Sequence, residues 1–313
     1  MEQPGKVSIC VLTYNRCEIL RELLRTLSEI GRHIVEIIVI DNHSSDETEK
    51  VMKEEFPRSR YFRMKENIGA GARNVGLKEA KGEIIITLDD DVIGMTEEEV
   101  NNLIGIFENR PNVAAVNFRV TDYYSGAISN WVHHCRPEEF GEREFETYEI
   151  TEGAVAFRSS ALGRAGHYPE YFFISHEGPD LALRLMNHGY AVIYSPRVSV
   201  KHKHSNLGRK AWLNYYYDTR NHIWLAARNF PWSYAATYLV RGLGSMLLYS
   251  LRDGYFRSWV KALFDGLKGL PRALNDRQVV SPEVMQRIWQ IDKERAGALS
   301  LLRERLLKNG ARL

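Results

Sequence analysis

The sequence predicts a doubly wound α/β sheet, mostly parallel and flanked by helices, followed by a helical C-terminal extension. Three observations carry this. Short runs rich in Val and Ile recur at 7–13, 35–40 and 83–88, the pattern of strands buried on both faces. Helical periodicities separate them, and strands alternating with helices build parallel sheets. Beyond residue 209 the periodicity is helical almost throughout, so the chain divides into an α/β region at 1–208 and a helical region at 209–313.

Each element has its own signal. Residues 17–30 place Ile19, Leu20, Leu23, Leu24 and Leu27 on one helical face. Further helices are expected at 45–55 and 70–80. Thr96, with Glu99 three residues on, forms a capping box that opens a helix reaching Phe107. Residues 113–118 return to a strand. Residues 122–151 are aromatic, polar and irregular, which suits a segment covering a cleft. Pro179 and Gly189 bracket a short helix with Leu181, Leu183 and Leu185, and 190–195 is again a strand. The most apolar stretch of the tail, 232–251, is interrupted by Arg241. A central Arg costs about 2.5–3.5 kcal/mol on membrane-insertion scales, which favours a packed or amphipathic helix over a span.

The 313 residues are 44% hydrophobic and 26% charged, an ordinary globular composition that argues against wholesale disorder. The net charge of +2 hides an asymmetry: residues 209–313 hold 18 Lys/Arg against 8 Asp/Glu, so the tail is basic and the α/β region acidic. A basic tail points to anionic partners or to a solvated face. A peripheral contact with the inner face of a cell membrane and a homodimer contact are the expectations for it, and no nucleic-acid partner is expected. Cys10, Cys17 and Cys135 are too few and too scattered for a disulfide scaffold. Residues 1–6 lack a signal peptide's apolar run. A cytoplasmic protein is expected.

The chemistry concentrates at strand ends. Asp89, Asp90 and Asp91 close the run Ile84-Ile85-Ile86-Thr87-Leu88. Two unit charges about 4 Å apart repel by about 4 kcal/mol at an effective dielectric of about 20, so a partly buried cluster calls for a cation. Mg²⁺ and Mn²⁺ bind through one or two carboxylates plus substrate phosphates, which a nucleoside diphosphate would complete. Asp41-Asn42 holds the same place after the second strand, where Asp41 can accept a base or ribose hydrogen bond. Thr13-Tyr14-Asn15-Arg16 ends the first. In open α/β sheets, ligands bind at the carboxyl ends of the strands, where these three loops converge.

These segments, Val7-Ser-Ile-Cys-Val-Leu-Thr-Tyr-Asn-Arg16, Val39-Ile-Asp-Asn-His-Ser-Ser-Asp46 and Leu88-Asp-Asp-Asp91, together resemble the signatures of family 2 glycosyltransferases. Asn67-Ile-Gly-Ala-Gly-Ala-Arg-Asn-Val-Gly76 is also similar, and the likeness runs to about His204. The resemblance implies a GT-A fold, Rossmann-like, with an inverting mechanism. It implies a nucleotide cleft lined by Thr13, Asn15, Arg16, Asp41, Asn42, Arg73, Asp89 and Asp90. Metal would sit on Asp91 with Asp89 and His202, His204 being the competitor for the last. Lys201 and Lys203 could instead meet phosphate. Phe172 to Leu185 is similar to the family's acceptor-side segment, usually Glu-Asp-x-Asp-Leu, whose second acid is commonly the catalytic base. Here that position is Gly178. Glu177 is the expected base, with Asp180 and His176 as alternatives.

The expected function is metal-dependent transfer, with Mn²⁺ or Mg²⁺, from a UDP- or dTDP-linked sugar to a hydroxyl of a glycan, lipid-linked or small-molecule acceptor. The tail segment Tyr215 to Pro231 resembles bacterial rhamnosyl-type members. Two enzyme alternatives fit less well. A dinucleotide-binding dehydrogenase wants GxGxxG after its first strand, whereas Gly69, Gly71 and Gly76 have another spacing and place. A sugar nucleotidyltransferase wants a Gly-rich loop where Tyr14-Asn15-Arg16 stands. A binding protein that has lost catalysis is kept open by Gly178.

Overall fold

The computed structural model describes residues 6–203 and 210–295. The boundary expected after Gly208, and His204, lie outside the described residues. The order is β1 Val7–Thr13, α1 Cys17–Leu27, β2 Ile34–Asp41, α2 Thr48–Glu54, β3 Arg60–Arg63, a 3₁₀ turn Gly69–Ala72 leading into α3 Arg73–Glu79, and β4 Ile84–Asp89. There follow β5 Val92–Ile93, α4 Glu97–Asn109, β6 Val113–Asp122, α5 Pro137–Phe140, β7 Phe145–Glu146, β8 Ala154–Arg158, α6 Ser159–Ala165, α7 Glu177–Asn187 and β9 Ala191–His202. Four helices close the described chain: α8 Trp212–Asn229, α9 Trp232–Arg252, α10 Phe256–Asn275 and α11 Pro282–Lys293.

One sheet runs β3-β2-β1-β4-β8-β6-β9-β5, with β7 against β9. Strands β1, β2 and β4 are parallel, as their doubly apolar runs predict, β3 adds a further parallel strand that was not expected, and β6 and β9 are parallel too. Between them β8 enters antiparallel to both β4 and β6. Strand alternation sends Val7, Ile9 and Val11 to the layer beneath α1 and α4, and Cys10 to the layer beneath α3, α6 and α7. The second layer continues into α8 and α11, so tail and sheet share one core.

Local chemistry sets the boundaries. Leu20, Leu23, Leu24 and Leu27 are buried as the periodicity requires, and α1 stops at Leu27. Thr96 and Glu99 make the reciprocal capping box that opens α4. The second helix starts at Thr48, where Asp46 accepts the Thr48 N–H at 3.1 Å. β9 is longer than expected because its ladder with β6 resumes beyond a register shift: Ser195 faces Phe118, then Ser199 faces Arg119, with Pro196 in the interruption. Of the segment 122–151, α5 and β7 are regular, and Trp131, His133 and Phe145 pack around Tyr194. Among the described residues no helix is long and apolar enough to cross a membrane.

Candidate active site

Three adjacent parallel strands bring their carboxyl ends into line. The register pairs Thr13 with Asp41 and Leu12 with Asp89. Asp41 is fully buried, accepting the Ser44 N–H at 2.7 Å and the Tyr61 hydroxyl at 2.5 Å. Burial and that bond hold the Tyr61 phenol in its neutral form. The Asn42 amide donates to Asn67 Oδ1 and Gly69 O, both at 3.0 Å, and accepts from Ile68 N, which pins the 67–69 turn. Asn15, at φ +53°, accepts from the Ser45 N–H at 2.7 Å, and its own N–H donates to Ser44 Oγ. The first two loops are thereby tied together.

Two arginines meet the three aspartates, Arg16 bridging Asp90 and Asp91 and Arg73 holding Asp89. Arg16 donates to Asp90 at 2.9 Å and to Asp91 at 2.5 Å, and Thr13 Oγ1 donates to Asp90 at 2.7 Å. Burial pushes the Asp90 carboxyl up to about 7, with Arg16 opposing and Asp91 adding to the rise. Asp89 turns away, onto Arg73. The repulsion expected from sequence is thus met first by arginines, and a metal is not required to explain it. Among the described residues no three His, Cys, Asp or Glu side chains form a ready metal cage. A pair does exist. Asp91 Oδ1 is buried without a hydrogen-bond donor and lies 3.2 Å from His202 Nε2, while His202 Nδ1 is 2.9 Å from the Asn130 amide. That amide can present nitrogen or oxygen to the ring and so selects which nitrogen keeps a lone pair. A carboxylate oxygen and an imidazole nitrogen could hold Mn²⁺ or Mg²⁺, with phosphate and water completing the shell. Of the sequence-derived ligand set, Asp91 and His202 come together and Asp89 stands apart. Lys203 is paired with Glu22.

Arg73 is 6% exposed, and its Nε and Nη1 are buried without an acceptor, so the guanidinium keeps donors unused beside Asp89. The expected bases lie at the start of α7. Glu177 is buried at 3% exposure. Asp180 is fully buried, held by Arg184 at 3.0 Å, Arg228 at 2.6 Å and Asn229 at 2.8 Å. Burial alone would raise its pKa, yet Arg184 and Arg228 keep it lowered. This carboxylate ties α7 to α8 and faces no cleft. His176 caps α7 at φ +66°, and burial pushes its imidazole down to about 4.

The residues before α7 are strained: Phe173, Ser175 and His176 all have positive φ. Such backbone persists only where its surroundings over-determine it. Asn221 of α8 does this, its amide donating to Phe172 O, Ile174 O and Ser175 O at 2.7–2.9 Å. Ala70 N donates to Phe173 O at 2.7 Å, which joins this loop to the turn before Arg73. Sequence reasoning missed Asn221 and also Glu152, a partly buried acid in the turn before β8. Burial pushes the Glu152 carboxyl up, with Arg73 opposing.

The chain is similar to known proteins in sequence and in fold. The O-antigen chain rhamnosyltransferase WbaN of Salmonella anatum is 23% identical over 194 residues, which span 58% of this chain and 60% of that protein. The structure of GalNAc-T7 with UDP, GalNAc and Mn²⁺ superposes with a TM-score of 0.63 at 14% identity, over 83% of this chain and 57% of that one. Staphylococcus aureus TarS residues 1–349 with UDP-GlcNAc gives a TM-score of 0.60 at 18% identity, over 96% and 92%. These likenesses establish the GT-A fold. Because the model of "Glycosyl transferase family 2" matches residues 8–166, about half the chain, the protein belongs to that glycosyltransferase family.

Proposed function

We propose that this glycosyltransferase moves a sugar, of hexosyl or rhamnosyl type, from a UDP- or dTDP-linked donor to an acceptor hydroxyl, with inversion and with a divalent metal. The observation that carries the reading is the Asp91–His202 pair, with its buried, donor-free carboxylate oxygen beside three converging strand ends. Asp91 and His202 would hold Mn²⁺ or Mg²⁺, which when bound offsets the charge gathering on the leaving nucleoside diphosphate. Thr13, Asn15, Asp41 and Asn42 shape the pocket for base and ribose by fixing the loops after β1 and β2. Arg16 lies where it can follow phosphate charge, since it already bridges Asp90 and Asp91. Arg73 orients Asp89 and offers its remaining N–H groups to donor hydroxyls.

The test is a thermal-shift screen of UDP-glucose and dTDP-rhamnose with and without Mn²⁺. A ligand that binds only the folded state at about 100 times its Kd adds about 2.7 kcal/mol of stability. The expected result is a shift with one donor that requires Mn²⁺ and disappears in Asp91→Ala. A metal-independent shift that survives Asp91→Ala overturns the metal assignment.

The acceptor side of the reading rests on the tail. Val240 and Phe264 are 75% and 71% exposed, and Trp232, Leu251 and Leu267 are exposed with them. Arg241, Arg257 and Lys268 are exposed on the same two helices, α9 and α10. The acids Asp253, Asp265 and Asp276 are paired with Arg252, Lys261 and Arg228. An apolar face set among basic residues suits an anionic bilayer surface, where a lipid-linked acceptor would be presented.

A further inference from the structure

The pattern that Phe172 to Leu185 resembles has an acid where this chain has Gly178. The structure shows what fills that space. A Cβ built on Gly178 would overlap Oε1 of Glu152 and come within 2.8 Å of Ile150 O. Position 178 therefore excludes a side chain because a carboxylate from another loop already lies against it. The Glu152 carboxylate thus lies against the backbone at Gly178. An acceptor anion at the start of the eleven-residue helix α7 is electrostatically favoured.

The turn that carries Glu152 is fixed from the other side. Thr87 Oγ1 of β4 donates to Glu152 O at 2.7 Å, and Asp89 N donates to Gly153 O at 3.1 Å. A Cβ on Gly153 would overlap the Asp89 carboxylate, so only glycine lets the turn approach this closely. Glu152 thus stands between the acidic end of β4 and the start of α7. Its rivals are less accessible: Glu177 is 3% exposed, and Asp180 is enclosed by Arg184, Arg228 and Asn229. Glu152 keeps partial exposure.

We propose that Glu152 is the general base of this enzyme, delivering from the turn before β8 the carboxylate that position 178 lacks. The inference rests on the transfer reading above. In the step, a Glu152 oxygen takes the proton of the attacking hydroxyl as that oxygen bonds to the anomeric carbon. The bond from that carbon to the donor phosphate breaks, and the nucleoside diphosphate leaves with the electron pair.

The experiment measures nucleoside diphosphate release from UDP-glucose and dTDP-rhamnose with Mn²⁺, water standing in for the acceptor hydroxyl, alongside donor-induced thermal shift. Removing a general base lowers turnover by about 10² to 10⁴-fold. Glu152→Gln is expected to show that loss in kcat while KM for the donor and the thermal shift stay at wild-type values. Glu177→Gln is expected to stay within a few-fold of wild type. Glu152→Asp keeps a carboxylate on the same turn and should recover turnover above Glu152→Ala. Near-native turnover in Glu152→Gln, or the full loss in Glu177→Gln instead, overturns the assignment and leaves the transfer reading standing. A wild-type protein that binds donor and releases no diphosphate overturns the transfer reading itself.

Discussion

In the sheet region, Ile9, Val39, Ile86 and Val116 are all but completely buried, and Leu20, Leu23, Leu24 and Leu27 close over them. In α9 and α10, by contrast, Trp232, Val240, Phe264 and Leu267 stay exposed although both helices are fully formed. The first region uses its apolar residues to fold. The second carries more than folding consumes, and exposed apolar surface of this kind marks interaction sites. Between them α8 is buried on most sides and clamps the strained loop before α7 through Asn221. The tail therefore has an inner layer that builds the site and an outer layer that does not.

The largest effect should come from cutting the inner layer. Asp180 is shared by Arg184 of α7 and Arg228 of α8. Removing one member of a buried charge network typically costs about 3–5 kcal/mol, because the remaining charges stay buried without a partner. Asp180→Ala should lower the urea midpoint accordingly, in one transition followed identically by tyrosine fluorescence and circular dichroism. Two separate transitions in the wild type would show that tail and sheet fold independently, against the shared core.

A smaller effect is expected from protons at the same joint. His176 and His222 lie with ring centroids 5.3 Å apart, and burial pushes them down to about 4 and about 3. Their unfolded value is near 6.5, so below that pH the unfolded chain binds more protons than the folded one. Stability should then fall as pH drops from about 6.5 toward 4, by up to about 1.4 kcal/mol per pH unit for each histidine. His222→Gln should flatten that slope in denaturant titrations taken across the window. An unchanged slope would remove His222 from the account.

How much of this was readable in the sequence depends on the reach of each contact. β1 was bounded to the residue and β2 and β4 within one, because strands buried on both faces announce themselves as continuous apolar runs. The α4 cap was legible because Thr96 and Glu99 are neighbours on one turn. β8 was missed: Ala-Val-Ala-Phe-Arg is short, and its antiparallel insertion between β4 and β6 depends on partners far along the chain. Asp180 looked available for chemistry since Arg228 and Asn229 belong to a different helix. The vacancy at Gly178 was visible, and its occupant Glu152 was not, because only the folded turn brings them together.

The smallest stability change, and the sharpest test of the comparison, belongs to the outer layer. Val240→Glu with Phe264→Glu alters two exposed side chains, and surface changes of this kind usually shift stability by about 0.5 kcal/mol or less. The same change should abolish cosedimentation with vesicles of phosphatidylglycerol and phosphatidylcholine. Wild-type binding should weaken with added salt, since each Lys or Arg near an anionic surface contributes about 1 kcal/mol that screening removes. Arg241, Arg257 and Lys268 are the residues whose charge would be felt. If light scattering instead finds a dimer that the double variant dissociates, the face belongs to a second copy and the bilayer reading fails. It fails too if the wild type ignores anionic vesicles at low salt. A symmetric dimer through this face would bring like charges together, whereas an anionic surface opposes them with charges of the other sign, so the bilayer is the expected occupant.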